Sequence, residues 1–171
     1  MGHGERKAVQ RMIVPVKVSR AMFRDIGYVE AIEIKAQDYP LLSSMIKGFI
    51  ESNYRSVYIA KIKDKVVGIS MVTGGLNEFH LTVVNRVSVH PQFRDIGVGK
   101  QLMLRVEADA WKQQHTCLRM YMPSYKIDDP TDPDYLGGWL KTNHFKAVDV
   151  YNDWYFRYGK NYDAYVFERP L

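Results

Sequence analysis

Two glycines and two cationic side chains are concentrated in one short segment, residues 87–100. It reads Val-Ser-Val-His-Pro-Gln-Phe-Arg-Asp-Ile-Gly-Val-Gly-Lys, which predicts a strand, a turn and the start of a helix. The first N–H groups of a helix lack partners and carry partial positive charge, so they bind phosphate well. Gly97 and Gly99 remove side chains where a diphosphate would approach the backbone, and Arg94 and Lys100 add positive charge. The segment therefore predicts a loop that binds a phosphate-bearing ligand.

Simple turn and packing chemistry is the alternative explanation of a Gly-x-Gly sequence between a strand and a helix. Two other nucleotide-binding motifs fit worse. The chain has no Gly-x-x-x-x-Gly-Lys-Ser/Thr run of the P-loop type. A dinucleotide fingerprint needs three glycines, and residues 94–99 contain two.

The other side chains that could do chemistry are scattered along the chain. Glu78 and His80 could act as a base through a water molecule, or they could be exposed turn residues. His90 fits the turn before the loop, and Cys117 fits an alternating apolar strand better than a nucleophile. The aspartates of residues 128–134 lack the spacing of a calcium loop, and no His, Cys, Asp or Glu cluster has metal-ligand spacing.

Composition predicts a single domain with a real core, since 46% of the 171 residues are hydrophobic. The net charge of +5 favours anionic ligands and permits contact with nucleic acid. Residues 1–10 do not resemble a signal peptide, and no apolar run is long enough to span a membrane. The single cysteine fits a reducing compartment. We therefore expect a cytoplasmic protein.

The hydrophobic pattern alternates between strand and helix periods. A helix starting at Tyr39-Pro40 and capped by Asp38 is expected to end near Asn53, and two further helices are expected at 99–114 and 135–142. Strands are predicted at 30–35, 57–62, 66–72, 82–89, 116–122, 145–154 and 163–168, with Pro15 confining 14–18 to an edge or an extended arm. Residues 1–28 are predicted to form an N-terminal extension or arm, or else to belong to the domain itself, and residues 29–171 are predicted to form the domain. This order predicts an α/β or α+β fold, a sheet covered by helices.

The loop segment resembles a family signature. Arg94-x-x-Gly97-x-Gly99, preceded by Val89-His90-Pro91, is similar to the cofactor motif of the GCN5-related N-acetyltransferases (GNAT). The resemblance covers the chain from about residue 30 to its end. It implies a GNAT-like acyl-CoA N-acyltransferase fold, with a twisted mixed sheet of six or seven strands and about four helices. It also implies acetyl-CoA as the co-substrate.

The resemblance assigns roles to individual residues of the segment. Val87, Ser88 and Val89 would line the splayed edge of their strand and pair with the pantetheine arm. The Val89 N–H would donate to the thioester carbonyl oxygen. The pyrophosphate would lie on the backbone N–H groups of the loop beside Arg94, and these belong to Asp95, Ile96, Gly97, Val98, Gly99 and Lys100.

The second half of the family signature departs from the pattern. Leu140 stands where many members carry a tyrosine that protonates the leaving thiolate, and His144 replaces a glycine. Tyr135 is the nearest substitute acid, with Tyr125 and Tyr151 as alternatives. Glu78 is the candidate base.

These features together predict an N-acetyltransferase that moves an acetyl group directly to a primary amine, with both substrates bound at once. The alternative is a non-catalytic GNAT-fold protein that acts through protein or nucleic-acid contacts. The acceptor could also be macromolecular, such as an aminoacyl-tRNA, a protein N-terminus or a lysine. The aromatic residues between 151 and 165 are expected in hairpin packing, with any excess lining an acceptor pocket or a homodimer face.

Overall fold

The computed structural model describes residues 15–37, 39–74, 80–131, 135–157 and 159–171. Seven strands of this part form one mixed sheet in the order β1-β2-β3-β4-β5-β7-β6. The strands are β1 (Val16–Arg20), β2 (Arg55–Ile62), β3 (Lys65–Thr73), β4 (Leu81–Val89), β5 (Cys117–Pro123), β6 (Lys146–Arg157) and β7 (Lys160–Pro170). Every neighbouring pair is antiparallel except β4 and β5, which are parallel.

Two helical layers cover the sheet. Helices α1 (Ile26–Ala36) and α2 (Ser43–Glu51) lie on one face, where Val29, Ile32 and Ile46 pack against apolar side chains of β2 and β3. Helices α3 (Val98–Lys112) and α4 (Gly137–Thr142) lie on the other face, and their apolar sides form the larger core cluster. Seven strands and four helices in this arrangement confirm the predicted fold class.

Most predicted elements form with shifts of a few residues at their ends. The hairpin of β2 and β3 pairs Ile62 with Lys65 across a tight turn, and β6 pairs with β7 as expected. The edge strand predicted at 14–18 is β1, which pairs with β2 from Val16 to Arg20. The limit of the predicted extension at residue 28 stays a prediction, and residues 1–14 lie outside the described residues.

One predicted strand is wrong, and one predicted helix forms with shifted ends. Residues 30–35 are helical, inside α1, because the buried positions Val29, Ile32 and Glu33 recur at helical spacing against the sheet. The helix expected from Tyr39-Pro40 begins at Ser43 and ends at Glu51, with Leu42 in an extended conformation before it. Asp38, the expected cap, lies outside the described residues.

None of the helices in the described ranges combines the length and the apolar character needed to cross a lipid bilayer.

The parallel pair at the centre of the sheet is short. Strand β4 pairs with β5 only at Leu81–Cys117, Thr82–Leu118 and Val83–Arg119. Beyond Val83 the two strands separate, so that residues 84–89 have no partner on the β5 side. The sheet therefore contains an internal gap between the second half of β4 and the second half of β5.

Candidate active site

The loop after β4 leads directly into the N-terminus of α3. A 3-10 turn at Pro91–Phe93 is followed by Gly97, whose φ of 92° lies in the left-handed region that favours glycine. The first intrahelical bond runs from the Gln101 N–H to the Gly97 carbonyl at 3.0 Å. Helix geometry therefore leaves the N–H groups of Val98, Gly99 and Lys100 without a partner inside the helix. The loop presents these donors, with two exposed cations nearby, as an anion site requires.

Side-chain contacts hold the loop against the end of β4. The His90 ring accepts a hydrogen bond from the Gln92 N–H at 3.3 Å, and the Arg94 Nε donates to the Val89 carbonyl at 3.4 Å. Burial lowers the pKa of His90, and the charges of Lys35 and Lys65 lower it further. His90 thus acts as a neutral turn residue near pH 7, in line with its expected place in the turn.

Gly68 on β3 lets the N-terminus of α3 approach the sheet closely. A Cβ at this position would lie 2.9 Å from Val98 Cγ1 and 3.2 Å from the Ser88 carbonyl oxygen. The helix start and the end of β4 are therefore fixed relative to one another by a contact that only glycine allows.

The backbone of β4 offers hydrogen-bonding groups to the gap. In an antiparallel ladder the N–H groups point alternately to the two sides of a strand. The His90 N–H donates to the Val67 carbonyl of β3 at 2.9 Å, and Gly68 lies opposite Val89. The Val87 and Val89 N–H groups consequently point away from β3, into the gap. A register shift between Met71 and Val72 leaves Asn85 as the extra residue of a β-bulge, which bends β4 at this place.

The gap widens into a cleft of about 380 Å³. Side chains from both faces of the sheet line this cleft, so it passes through the sheet between β4 and β5. Val87, Met120 and Met122 belong to the face that packs with α3. On the α1 side the lining includes Gln37, Tyr39, Arg86, Tyr121, Tyr155 and Arg157, and the remaining residues are Asn85, Pro123, Tyr125, Lys126, Leu136 and Phe156.

A buried polar network connects α1 to β4 beside the cleft. The fully buried Glu33 accepts a hydrogen bond from the Ser88 hydroxyl at 2.7 Å, and the Gln37 side chain donates to the same hydroxyl at 2.9 Å. Arg86 lies 3.7 Å from the Glu33 carboxylate and donates to the Tyr39 carbonyl at 3.1 Å. Because a buried carboxylate needs its partners, this network fixes the position of the α1 side of the cleft.

Three tyrosine hydroxyls of the cleft are candidate proton donors. Tyr121, Tyr125 and Tyr155 line it, and the Tyr155 hydroxyl donates to the Tyr121 carbonyl at 3.3 Å. Burial raises the pKa of Tyr155 above its ordinary value. Such a group stays protonated at neutral pH, so it can donate a proton but does not act as a base.

The predicted catalytic residues do not all meet at the cleft. The Tyr135 hydroxyl packs directly against Gly137, at the position that a Cβ of residue 137 would occupy. Tyr135 is not among the residues that line the cleft. Leu140 is buried in the core. Tyr125 does line the cleft, whereas Tyr151 lies on β6 against Tyr121 and Trp154. Glu78 lies outside the described residues. The roles of Tyr135 and Glu78 stay predictions.

Cys117 lies at the start of β5, in the paired part of the strand away from the cleft. Burial raises the pKa of its thiol, which lowers the thiolate fraction that a nucleophile would need. This agrees with the interpretation of Cys117 as a structural residue.

Four residues of the cleft were not predicted from the sequence, namely Gln37, Tyr39, Arg86 and Arg157. The strand period of residues 82–89 already places Arg86 on the same face as Ser88, so this residue could have been found. Gln37 and Tyr39 flank α1, which was read as a strand. Arg157 was overlooked within the aromatic segment, from which Tyr155 and Phe156 line the cleft and Tyr158 lies outside the described residues.

Known structures share this fold across nearly the whole chain. Three examples are a ribosomal-protein-alanine N-acetyltransferase from Brucella melitensis (15% identity, TM-score 0.72, 91% of this chain and 99% of that one), NAA60 from Arabidopsis thaliana with a bisubstrate analogue (12%, 0.74, 91% and 98%) and Ard1 from Thermoplasma volcanium (18%, 0.73, 91% and 97%). At these identities the likeness shows the fold alone.

No curated protein sequence matches the chain. The profile of the acetyltransferase (GNAT) domain matches residues 53–151, which is more than half of the chain and includes β4, the loop and α3. The match, the fold and the loop agree: the chain belongs to the GNAT acetyltransferase family.

Proposed function

We propose that the protein transfers the acetyl group of acetyl-CoA to a primary amine, by direct attack while both substrates are bound. The observation that carries this proposal is the gap between β4 and β5 beside the unpaired N–H groups of α3. Family membership implies acetyl-CoA as co-substrate. The neighbours that are named N-acetyltransferases support transfer to nitrogen.

The residues of the gap fit this co-substrate. Arg94, Lys100 and the N–H groups of residues 95–100 would hold the pyrophosphate. The Val87 and Val89 backbone groups would pair with the pantetheine arm as an added strand. Gly99 lies in the first turn of α3, where a Cβ would contact Trp139 Nε1 at 3.6 Å and Val89 Cγ2 at 3.9 Å, so a larger side chain would crowd the helix start beside Val89.

When bound, acetyl-CoA supplies an acyl group activated as a thioester. The amine nitrogen forms the new C–N bond as the C–S bond breaks, and one proton passes from nitrogen to the leaving sulfur. The Val89 N–H would stabilise negative charge on the carbonyl oxygen. A tyrosine of the cleft would protonate the sulfur, and Glu78 would accept the amine proton through water. No enzyme nucleophile is needed.

A non-catalytic binding protein on the same fold is the second candidate. The observation that favours it is Leu140, which is buried in the core where many family members carry the tyrosine that protonates the sulfur. Contact with a protein or with nucleic acid such as tRNA would then be the function. The basic net charge of +5 is compatible with such a partner.

Homodimer formation in the cytoplasm belongs to the same proposal. The edge strand β6 exposes Val148, Val150, Trp154 and Phe156, and apolar and aromatic side chains of this kind are typical of interfaces.

The first experiment measures binding and turnover separately. Acetyl-CoA is expected to raise the melting temperature, since a ligand that binds only the native state stabilises it, and a panel of amines is assayed for CoA release. Gly99→Val should abolish the shift, because its branched side chain would crowd the helix start beside Val89, where the cofactor is proposed to bind. Gly138→Val is the matched control, a helical glycine whose Cβ would meet nothing within 4 Å, and it should keep the shift.

A shift without CoA release for any amine would favour the binding protein. The absence of a shift with the wild-type protein at millimolar acetyl-CoA would contradict the proposed acetyl transfer, and the binding protein, which does not require this ligand, would be favoured.

A further inference from the structure

The hairpin of β2 and β3 ends in a cluster of lysines. We call it the lysine surface, and its members are exposed or half-buried residues of β1, α1 and the hairpin, namely Lys17, Lys35, Lys61, Lys63 and Lys65. The three strands β1 to β3 and the turn between β2 and β3 contain a single acidic residue, Asp64. The net charge of the chain is +5, and the lysine surface together with Asp64 carries +4 of it. The excess positive charge is therefore concentrated on this surface.

Two of the lysines meet beside the ring of His90, at the end of β4. The Lys35 ammonium lies 3.4 Å from His90 Nε2, and the Lys65 ammonium lies 5.1 Å from the centre of the neighbouring Phe93 ring. Besides burial, the charges of Lys35 and Lys65 lower the pKa of His90, so both cations lie close to it. A neutral imidazole and an aromatic ring carry no net charge, so these contacts leave both positive charges uncompensated.

The other three lysines have no carboxylate partner either. Lys17 lies directly opposite Lys61 in the β1–β2 ladder, and like charges at such positions destabilise a sheet. Lys63 follows on the turn and is exposed. In the part of the chain that the structure describes, none of the five lysines forms an ion pair with an aspartate or glutamate. A bound polyanion would therefore relieve the repulsion without first breaking an internal ion pair.

We propose that the lysine surface binds the phosphodiester backbone of a nucleic acid, without reading its sequence. Lysine binds phosphate as a point charge, and phosphate contacts carry no sequence information. A protein partner is less favoured, because lysine is depleted in protein interfaces. A membrane is also less favoured, since the hairpin, residues 55–73, exposes no large apolar side chain that could insert. This inference does not depend on the proposed acetyl transfer.

The salt dependence of binding tests the proposal. A labelled DNA duplex and an RNA duplex of the same length are titrated with the full chain at several salt concentrations. Changing Lys61→Gln together with Lys63→Gln should weaken binding equally for duplexes of different sequence. It should also reduce the slope of log K against log salt concentration by about 2, because each phosphate contact contributes about 0.9. A wild-type protein that binds neither duplex at about 50 mM salt would overturn the proposal.

Matched substitutions show whether the effect is local. The control is Lys47→Gln together with Lys112→Gln, two exposed lysines that pair with carboxylates of their own helices, and it should leave the slope unchanged. An equal loss in this control would overturn the proposal, because binding would then follow net charge alone. Lys17→Gln together with Lys65→Gln is a second variant of the lysine surface, which should reproduce the loss and serves if the first does not fold.

Two further measurements distinguish the nucleic acid from other ligands. The variant at Lys61 and Lys63 should keep the melting shift that acetyl-CoA gives the wild type, since neither residue belongs to the phosphate-binding loop. Loss of this shift would assign the lysines to the cofactor site and overturn the proposal. Polyglutamate and vesicles of phosphatidylserine and phosphatidylcholine are the competing probes. The proposal fails if either binds the wild type as tightly as the duplexes do and loses affinity in the variant. Failure of the proposed function is a different result, a wild-type protein that binds duplex but shows no acetyl-CoA melting shift.

Discussion

Val89 is the residue at which the loop meets the gap between β4 and β5. Its N–H points into the gap, and its carbonyl accepts a hydrogen bond from Arg94 Nε at 3.4 Å. Its side chain lies 3.9 Å from where a Cβ of Gly99 would be. The group proposed to stabilise the carbonyl oxygen is thus held by the loop proposed to hold the pyrophosphate. A change in the loop is expected to affect both binding and catalysis.

Tyr125 is the tyrosine best located to protonate the leaving sulfur. Tyr125 lines the cleft, and the Arg157 guanidinium lies over its ring. The Tyr135 hydroxyl, in contrast, packs against Gly137 outside the cleft lining. We expect Tyr125→Phe to lower kcat by about 100-fold, as the loss of a general acid does, with little change in the affinity for acetyl-CoA. Tyr135→Phe should leave kcat within about two-fold.

Steady-state kinetics and acetyl-CoA titration of both variants provide the measurement. If Tyr135→Phe is the slower enzyme, Tyr125 is not the general acid, and the role predicted for Tyr135 from the sequence is favoured. Tyr28→Phe, at an exposed position on α1, is the control for a tyrosine outside the cleft.

At the scale of elements, the error at residues 30–35 has a physical explanation. Alternating aliphatic and charged residues such as Ile32, Glu33 and Ile34 fit a strand over a short window. In the structure Ile34 is 63% exposed, while Glu33 is fully buried. A buried carboxylate inverts the hydrophobic pattern, and its partners, Ser88 and Arg86, lie more than fifty residues away. Local sequence does not contain that information.

The segments that were predicted well carry their own local signals. The hairpin of β2 and β3 has a short polar turn between two β-rich runs, and Lys63 takes up a positive φ of 54° there. The start of α3 is determined by Gly97 and by the apolar positions Val98 and Leu102 that follow it. Such elements depend on contacts between near neighbours, which a sequence shows directly.

The connection between α1 and β4 is testable by one substitution. Ser88→Ala removes a donor to the buried Glu33 and should lower the free energy of unfolding by about 2 kcal/mol, the value of a hydrogen bond to a buried charge. Urea unfolding provides the measurement. Ser43→Ala is the control, because its hydroxyl bonds to Glu30 at an exposed position, and we expect a change within about 0.5 kcal/mol. Equal effects would mean that Glu33 does not depend on Ser88.

At the scale of the whole molecule, the strand order could not be read from the sequence. Strand β7 lies between β5 and β6. β6, which comes before β7 in the chain, is therefore the edge strand of the sheet. The gap beyond Val83 is likewise invisible locally, because residues 84–89 have the same β-rich character as the paired residues before them. The mixed sheet and the splayed edge of β4 were predicted from the resemblance to the family. The periodicity of the hydrophobic residues predicted only the individual strands and helices.

Alkaline stability depends on a contact between the sheet and α3. The buried Tyr58 donates to Asp109 at 2.8 Å, and burial together with this bond raises its pKa from 10.0 to about 12. Tyr58→Phe should destabilise the protein by about 2 kcal/mol near pH 8. A raised folded-state pKa gives stability that is complete below the unfolded value and is lost as pH rises toward the folded value. The difference between wild type and variant should therefore shrink from pH 10 to about 12.

Urea midpoints across this pH range provide the measurement. Tyr28→Phe, at an exposed position, should follow the wild type throughout. A difference between wild type and Tyr58→Phe that stays constant up to pH 12 would contradict the assignment.

Three residue pairs are all that join β4 to β5 along their parallel ladder. The sheet therefore consists of two parts, β1–β4 and β5–β7, separated by a seam, the gap that the proposed cofactor would fill. A pantetheine arm in the seam would act as a temporary eighth strand, so each turnover would insert and withdraw a piece of secondary structure. Amide hydrogen exchange at Val87 and Val89 would then report occupancy of the seam directly, whether or not any acetyl group has moved.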